Sequence, residues 1–236
     1  MNRENVLFGV VGLLAGYLLA FHLVVHINQS QPAPRPAGGP AQGGDGRSLP
    51  SNEVKDRQRL QSEAEQAVAA ARGNRASFEA QKAAAEALLE AENWAAALEF
   101  LTRANELRPD DYGTLVKLGH ANSETENYEA AEKWFKAALA KKPEDNDARS
   151  ELALTYFLRT PQQTERAIAE LTRGLDADPT HLATLHNLSL MYIQTGKLAE
   201  AESTIGRLER VNPSYAQLPR LRSALDDARQ KKTASS

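Results

Sequence analysis

Cysteine is absent from the 236 residues, and that one absence removes disulfides, thiolate metal sites, a thiol nucleophile and a lipid-modified N-terminal cysteine. It leaves the redox compartment open, because a chain without thiols suits oxidising and reducing surroundings alike. An excess of one charge is missing too: 28 basic residues against 31 acidic ones give a net charge of −3 and a pI near 6.0. Without a cationic field to neutralise phosphates, nucleic acid is not an expected partner. Glycine-rich phosphate loops and HExxH are lacking, and the serines, histidines and aspartates are scattered without a pocket-forming segment. No enzymatic activity, cofactor or bound metal is therefore expected.

What is there falls into three regimes. Val6 to Ile27 is an uncharged apolar run, VLFGVVGLLAGYLLAFHLVVHI. As a helix, ~22 residues at a rise of ~1.5 Å cross a hydrocarbon core of ~30 Å. A cleaved signal peptide competes with this reading. The run exceeds the usual apolar core of about 7–15 residues, however, and no small-x-small site follows it. Pro32, Pro34 and Pro36 also crowd the place where cleavage would occur. We therefore expect a transmembrane helix over 6–27 behind a short tail at 1–5. Few charges flank it: Arg3 and Glu4 before, Arg35 and Arg47 after. The orientation adopted is a signal anchor in a bacterial inner membrane, with the bulk of the chain in the periplasm. Gly12, Gly16 and Ala20 lie at i+4 steps on one helix face, a groove that admits a second helix closely and makes a homodimer one expectation. Small residues are also common in spanning helices that do not pair. His22 and His26 share a face at the membrane exit, where polar side chains reach the interface, and are not expected to bind metal.

Residues 28–50, crowded with Pro, Gly, Gln and Ser, have almost nothing apolar to bury and read as a disordered linker. By coil statistics of ~5–6 Å times the square root of the residue number, it reaches some tens of Å.

The rest of the chain is rich in Ala, Leu, Glu, Arg and Lys, and four similar phrases punctuate it: LRPDD at Pro109, KKPED at Pro143, ADPTH at Pro179 and VNPSY at Pro213. They are spaced by about 34 residues, the length of one helix-turn-helix unit of the tetratricopeptide repeat (TPR) family, which this sequence resembles. The resemblance implies an all-α fold: a right-handed solenoid of four units at 78–111, 112–145, 146–181 and 182–215. The family's small residue at position 8 falls on Ala85, Gly119, Ala153 and Ser189, and its alanine at position 20 on Ala97, Ala131, Ala167 and Ala201. Small side chains there let paired helices approach closely. Large apolar residues, such as Leu101, Phe135, Leu171 and Ile205, recur at helical separations and give each unit one apolar face. The third unit carries two extra residues in RTPQQTERA, placed by Pro161 in the turn between its helices.

Stacked units leave two ends to cover. A C-terminal helix over 216–232 offers Leu218, Leu221, Leu225 and Ala228 on one stripe and reads as a cap. At the other end, 51–74 reads as a helix started by Ser51 and stopped at Gly73-Asn74, with a thin stripe of mostly alanine. A cap on the first unit is the preferred reading; a short self-associating coiled coil is the alternative, though its seam wants more Leu and Ile.

In the TPR family the first helix of each unit lines a concave groove. Carried over position by position, that implies Lys82 and Glu86 from the first unit, with Lys117 and His120 from the second. The third supplies Glu151, Leu154, Phe157 and His181, and the fourth His186, Asn187, Leu190 and Ile193. The groove would be mixed in charge in its first half, and apolar from Leu154 and Phe157 onward unless the C-terminal cap or the insertion covers those residues. Glu86, Asp147 and Glu151 stand where the family's carboxylate clamp needs asparagine or basic residues, so anionic tails are not expected ligands. The reading is thus a membrane-anchored adaptor that holds a peptide or helix of a protein partner, in assembly of an envelope complex. The alternative is a structural subunit that self-assembles through the anchor and the helix over 51–72.

Overall fold

The computed structural model describes residues 51–234. The tail at 1–5, the expected transmembrane helix over 6–27 with Gly12, Gly16 and Ala20, and the linker 28–50 lie outside those residues. No helix among the described residues is long and apolar enough to cross a membrane.

Those residues form ten α-helices and no strand. A long first helix, α1 (Ser51–Gly73), precedes four helix pairs. They are α2 (Phe78–Glu90) with α3 (Trp94–Leu107), and α4 (Tyr112–Glu124) with α5 (Tyr128–Lys141). Next come α6 (Asn146–Leu158) with α7 (Thr164–Ala177), and α8 (Leu182–Gln194) with α9 (Leu198–Val211). A last helix, α10 (Leu218–Ala234), closes the series. It begins two residues later than the sequence reading, which sets Pro219 in the first turn, where a missing N–H leaves no helical bond unmade.

Local chemistry sets the ends of each pair. Asp111 and Asp145 each accept a hydrogen bond from the backbone N–H three residues on (both 2.8 Å), satisfying the otherwise orphaned donors that begin α4 and α6. The second helix of every pair stops before an X-Pro step, whose first residue leaves the helical region because proline disfavours it there. Three residues join the helices of pairs one, two and four, and the middle one is left-handed: Glu92 (φ 56°), Glu126 (φ 60°) and Gly196 (φ 72°). In the third pair residues 159–163 replace that tight turn and absorb the insertion.

Packing follows the side-chain sizes. Ala97, Ala131, Ala167 and Ala201 are fully buried, beside Leu101, Phe135, Leu171 and Ile205, which are also fully buried. Gly119 marks the tightest approach: a Cβ there would sit 2.7 Å from the Phe135 ring. The core has two parts. One spans α1 to α4 and includes Ala64, Ala71, Leu88, Phe100, Leu101 and Leu118. The other runs from Ala131 in α5 to Leu225 in α10. The apolar stripe of α1 is spent on the first pair, with Ala67 and Val68 packed against it and Gln81 Nε2 donating to the Ala71 carbonyl at 2.8 Å. Leu218, Leu221 and Leu225 of α10 close the far end.

Candidate functional site

Helices α2, α4, α6 and α8 are the first members of their pairs, and hydroxyl pairs tie α4 to α6 and α6 to α8. Ser123 Oγ meets Thr155 Oγ1 at 3.1 Å, and Ser150 Oγ meets Thr184 Oγ1 at 2.9 Å. One residue per turn from each helix therefore contributes to a continuous face, and this face carries the candidate residues.

On α2 and α4 the face is made of ion pairs. Lys117 Nζ lies 3.0 Å from Glu86 Oε1, bridging the two helices, and Lys82 Nζ lies 3.9 Å from Asp111 Oδ1. The His120 ring stands edge-on to the indole of Trp94 (centroids 5.2 Å apart) and 3.8 Å from Glu124. Trp94 is a member of this face that repeat positions alone do not point to. It is the first residue of α3, and its reach to α4 depends on how helices from neighbouring pairs cross.

Along α6 and α8 the candidates separate by depth. Glu151, Leu154, Leu190 and Ile193 are half-buried, and the three apolar ones pack against the core while keeping part of their surface in water. Phe157, His186 and Asn187, expected on the groove surface, are only 6%, 4% and 2% exposed. Phe157 belongs to the core between α6 and its neighbours. The His186 ring is met by Tyr215, from the turn before α10, at 5.7 Å between centroids. Burial pushes the His186 pKa down to about 4, so the ring is neutral at pH 7. The apolar half is thus a partly covered strip over a buried floor, not an open patch.

His181 acts differently from the groove contact expected of it. It caps α8, with Nδ1 3.3 Å from the Thr184 backbone nitrogen and 2.8 Å from Thr184 Oγ1, while Nε2 lies 3.3 Å from Asp147 Oδ1 on α6. The hydrogen bond to Asp147 raises the His181 pKa against the opposing effect of burial. Among the described residues no group of His, Asp or Glu is arranged to hold a metal ion.

Comparison with known proteins bears on the repeat pattern. A family model described as Tetratricopeptide repeat matches residues 88–154. A second, described as Anaphase-promoting complex, cyclosome, subunit 3, matches residues 124–208. The helix pairs form a TPR-like solenoid. No curated protein matches the sequence. Among solved structures, a tetratricopeptide repeat protein from Parabacteroides merdae superposes with a TM-score of 0.64 at 19% identity, covering 78% of this chain and 72% of that one. TTC0263, a thermophilic TPR protein of Thermus thermophilus, gives 0.57 at 21% identity, covering 74% and 94%. YrrB, described as a TPR protein with an unusual peptide-binding site, gives 0.59 at 14% identity, covering 73% and 88%. At such identities the likeness shows the TPR fold. TPR proteins as a class mediate protein–protein interactions.

Proposed function

We propose that this protein is a membrane-tethered adaptor, without catalytic activity, that holds a segment of a protein partner along the face formed by α2, α4, α6 and α8. The observation that carries the reading is the strip of Leu154, Leu190 and Ile193. Leu154 and Leu190 occupy the same repeat position on successive helices, and all three keep apolar surface in water although neighbouring core residues are fully enclosed. A partner's apolar side chains set against that strip would remove the remaining surface from water, at about 25 cal/mol per Å². The apolar sequence from Val6 to Ile27 supplies the anchor in this reading, and residues 28–50 the tether. Confinement of both partners to one membrane raises their effective concentration, so a modest affinity at the face suffices.

Two experiments test it. Full-length protein purified from membranes is used to capture partners, alongside Leu154→Glu and Leu190→Glu, whose folding is checked by thermal melting. Partners retained equally by both folded variants overturn the role of this face. Because the sequence has no cysteine, Ser223→Cys on the exposed side of α10 places one thiol on the repeat domain. A membrane-impermeant maleimide should label it in cells with a permeable outer membrane. Labelling only after the inner membrane is lysed overturns the periplasmic assignment.

A further inference from the structure

A polar side chain in the floor of this face is unmatched. Asn187 on α8 is 2% exposed, and its amide nitrogen has no hydrogen-bond partner among the described residues. Buried amide donors are almost always matched, and an orphaned one costs free energy that an apolar residue of the same shape would not. The repeat geometry shows where a partner belongs. Lys117, the sixth residue of α4, places its ammonium 3.0 Å from Glu86, the ninth residue of α2. The same two positions on α8 and α6 are Asn187 and Leu154. A leucine accepts no hydrogen bond, so the amide that stands in the lysine's place faces an apolar neighbour. Leu190 follows one turn later on α8. The unmatched group thus lies in the apolar strip itself, between two leucines that keep part of their surface in water.

A side-chain amide offers a donor and an acceptor in one plane. Its complement on a polypeptide is the N–H and C=O of a single residue. In an extended segment those two groups leave the chain on the same side and are free to pair outward, whereas a helix has bonded them internally except at its ends. An extended segment also alternates its side chains, so every second one turns to the same surface. A helix laid on the strip, ~10–12 Å across with its side chains, would hold its backbone away from the floor and shut Asn187 off from water still unmatched.

We propose that the segment held by this face is extended and is gripped by its backbone. The Asn187 amide turns about its terminal bond, donates to the C=O of one partner residue and accepts from the N–H of the same residue. The two residues flanking it carry large apolar side chains, one lying on Leu154 and the other on Leu190 with Ile193. This rests on the adaptor reading and specifies the form of its partner: a strand-like stretch with apolar residues two apart, not an amphipathic helix. Binding removes the cost of the unmatched donor, so the site selects for a free backbone as much as for side chains.

The test selects peptides rather than assuming one. Random dodecapeptides displayed on phage are panned against the full-length chain in detergent micelles, with Leu154→Glu and Leu190→Glu in parallel, each checked for an unchanged helical signal. The expected pool carries Leu, Ile, Val or Phe two residues apart and is lost on either variant. A synthetic member is then remade with the N–H between its two apolar residues methylated, and should bind the parent chain about tenfold more weakly. Asn187→Leu, close in shape, should melt at a higher temperature than the parent, bind the unmethylated peptide about tenfold more weakly and no longer distinguish it from the methylated one. Peptides that need Leu190 but space their apolar residues by three and four, or that gain affinity when stapled as helices, overturn the extended assignment and leave the adaptor face standing. Discrimination that persists in Asn187→Leu, or a melting temperature below the parent's, removes the role of Asn187 and the proposal with it. No enrichment, or enrichment indifferent to Leu190→Glu, overturns both the proposal and the adaptor reading.

Discussion

Gly119 is where one missing atom decides how two helices meet. The Phe135 ring rests against its Cα, and a methyl there would stand at 2.7 Å, closer than carbon atoms pack. Gly119→Ala forces α4 and α5 apart or tilts the ring, and overpacking of this kind costs about 1–3 kcal/mol. Urea denaturation should show that loss. The double variant Gly119→Ala/Phe135→Leu should lose less than the sum of its parts, because the smaller side chain gives the methyl room. Additive losses would mean that the two residues do not share the contact. At the same scale, two histidines respond to pH with opposite sign. His186, buried and held at about 4, binds its proton in the unfolded chain near 6.5 first. Its contribution to stability is therefore whole above pH 6.5 and is lost as the pH falls toward 4, amounting to about 3 kcal/mol over that interval. His181, raised by Asp147, stabilises fully below pH 6.5, and that gain disappears as the pH rises through its folded value. Unfolding free energies measured from pH 4 to 8 should lose their acid limb in His186→Leu and their alkaline limb in His181→Asn.

At the level of elements, the insertion in the third repeat is tied down by charge. Arg159, the first residue after α6, places Nη1 2.8 Å from Glu132 Oε2 and Nη2 3.3 Å from Glu129 Oε1, both on α5 of the preceding repeat. Arg166 on α7 adds a contact to Glu132 at 3.0 Å, and Tyr156 donates to the same carboxylate at 3.2 Å. Burial raises the Glu132 pKa, but hydrogen bonds from Lys136 and Arg166 outweigh it and hold the carboxyl below its ordinary value. The side chains of Glu132 and Arg159 are only 17% and 15% exposed, so Glu132→Ala leaves a largely buried guanidinium without its main partner. We expect a loss of about 2–3 kcal/mol in thermal or chemical melts, against about 1 kcal/mol for Glu132→Gln, which keeps an acceptor. Little of this network is legible in sequence. The repeat period, the buried alanines at Ala97, Ala131, Ala167 and Ala201, and the place of the insertion follow from local spacing, because helical periodicity and proline act within a few residues. The Glu132 cluster joins residues up to 34 apart in the chain. Depth along the face is hidden for the same reason. Whether Phe157 and His186 line a groove or fill a core depends on residues such as Tyr215, which meets the His186 ring from the far end of its repeat.

Across the whole molecule, stability should be uneven. A solenoid repeat touches only its neighbours, so the apolar surface buried locally sets how readily each part opens. The part of the core spanning α1 to α4 holds ten buried residues, and six of them are alanines. The part from α5 to α10 holds twenty-one, and only five are alanines. Full burial of a large aliphatic or aromatic side chain is worth about 1.5–3 kcal/mol and an added methyl about 0.8, so the second part is held far more firmly. The two meet between α4 and α5, where Phe135 packs on Gly119, Val116 packs on the second part and Trp134 on the first. Native-state hydrogen exchange should therefore give two protection levels, with the amides of α2 and α3 opening at lower free energy than those of α6 to α9. Deleting α10 should invert that order, because it uncovers the surfaces against which Leu218, Leu221 and Leu225 are buried and leaves the first repeats untouched. Uniform protection in the parent chain, or loss of protection in α2 and α3 on deleting α10, would show that the solenoid opens as one cooperative unit.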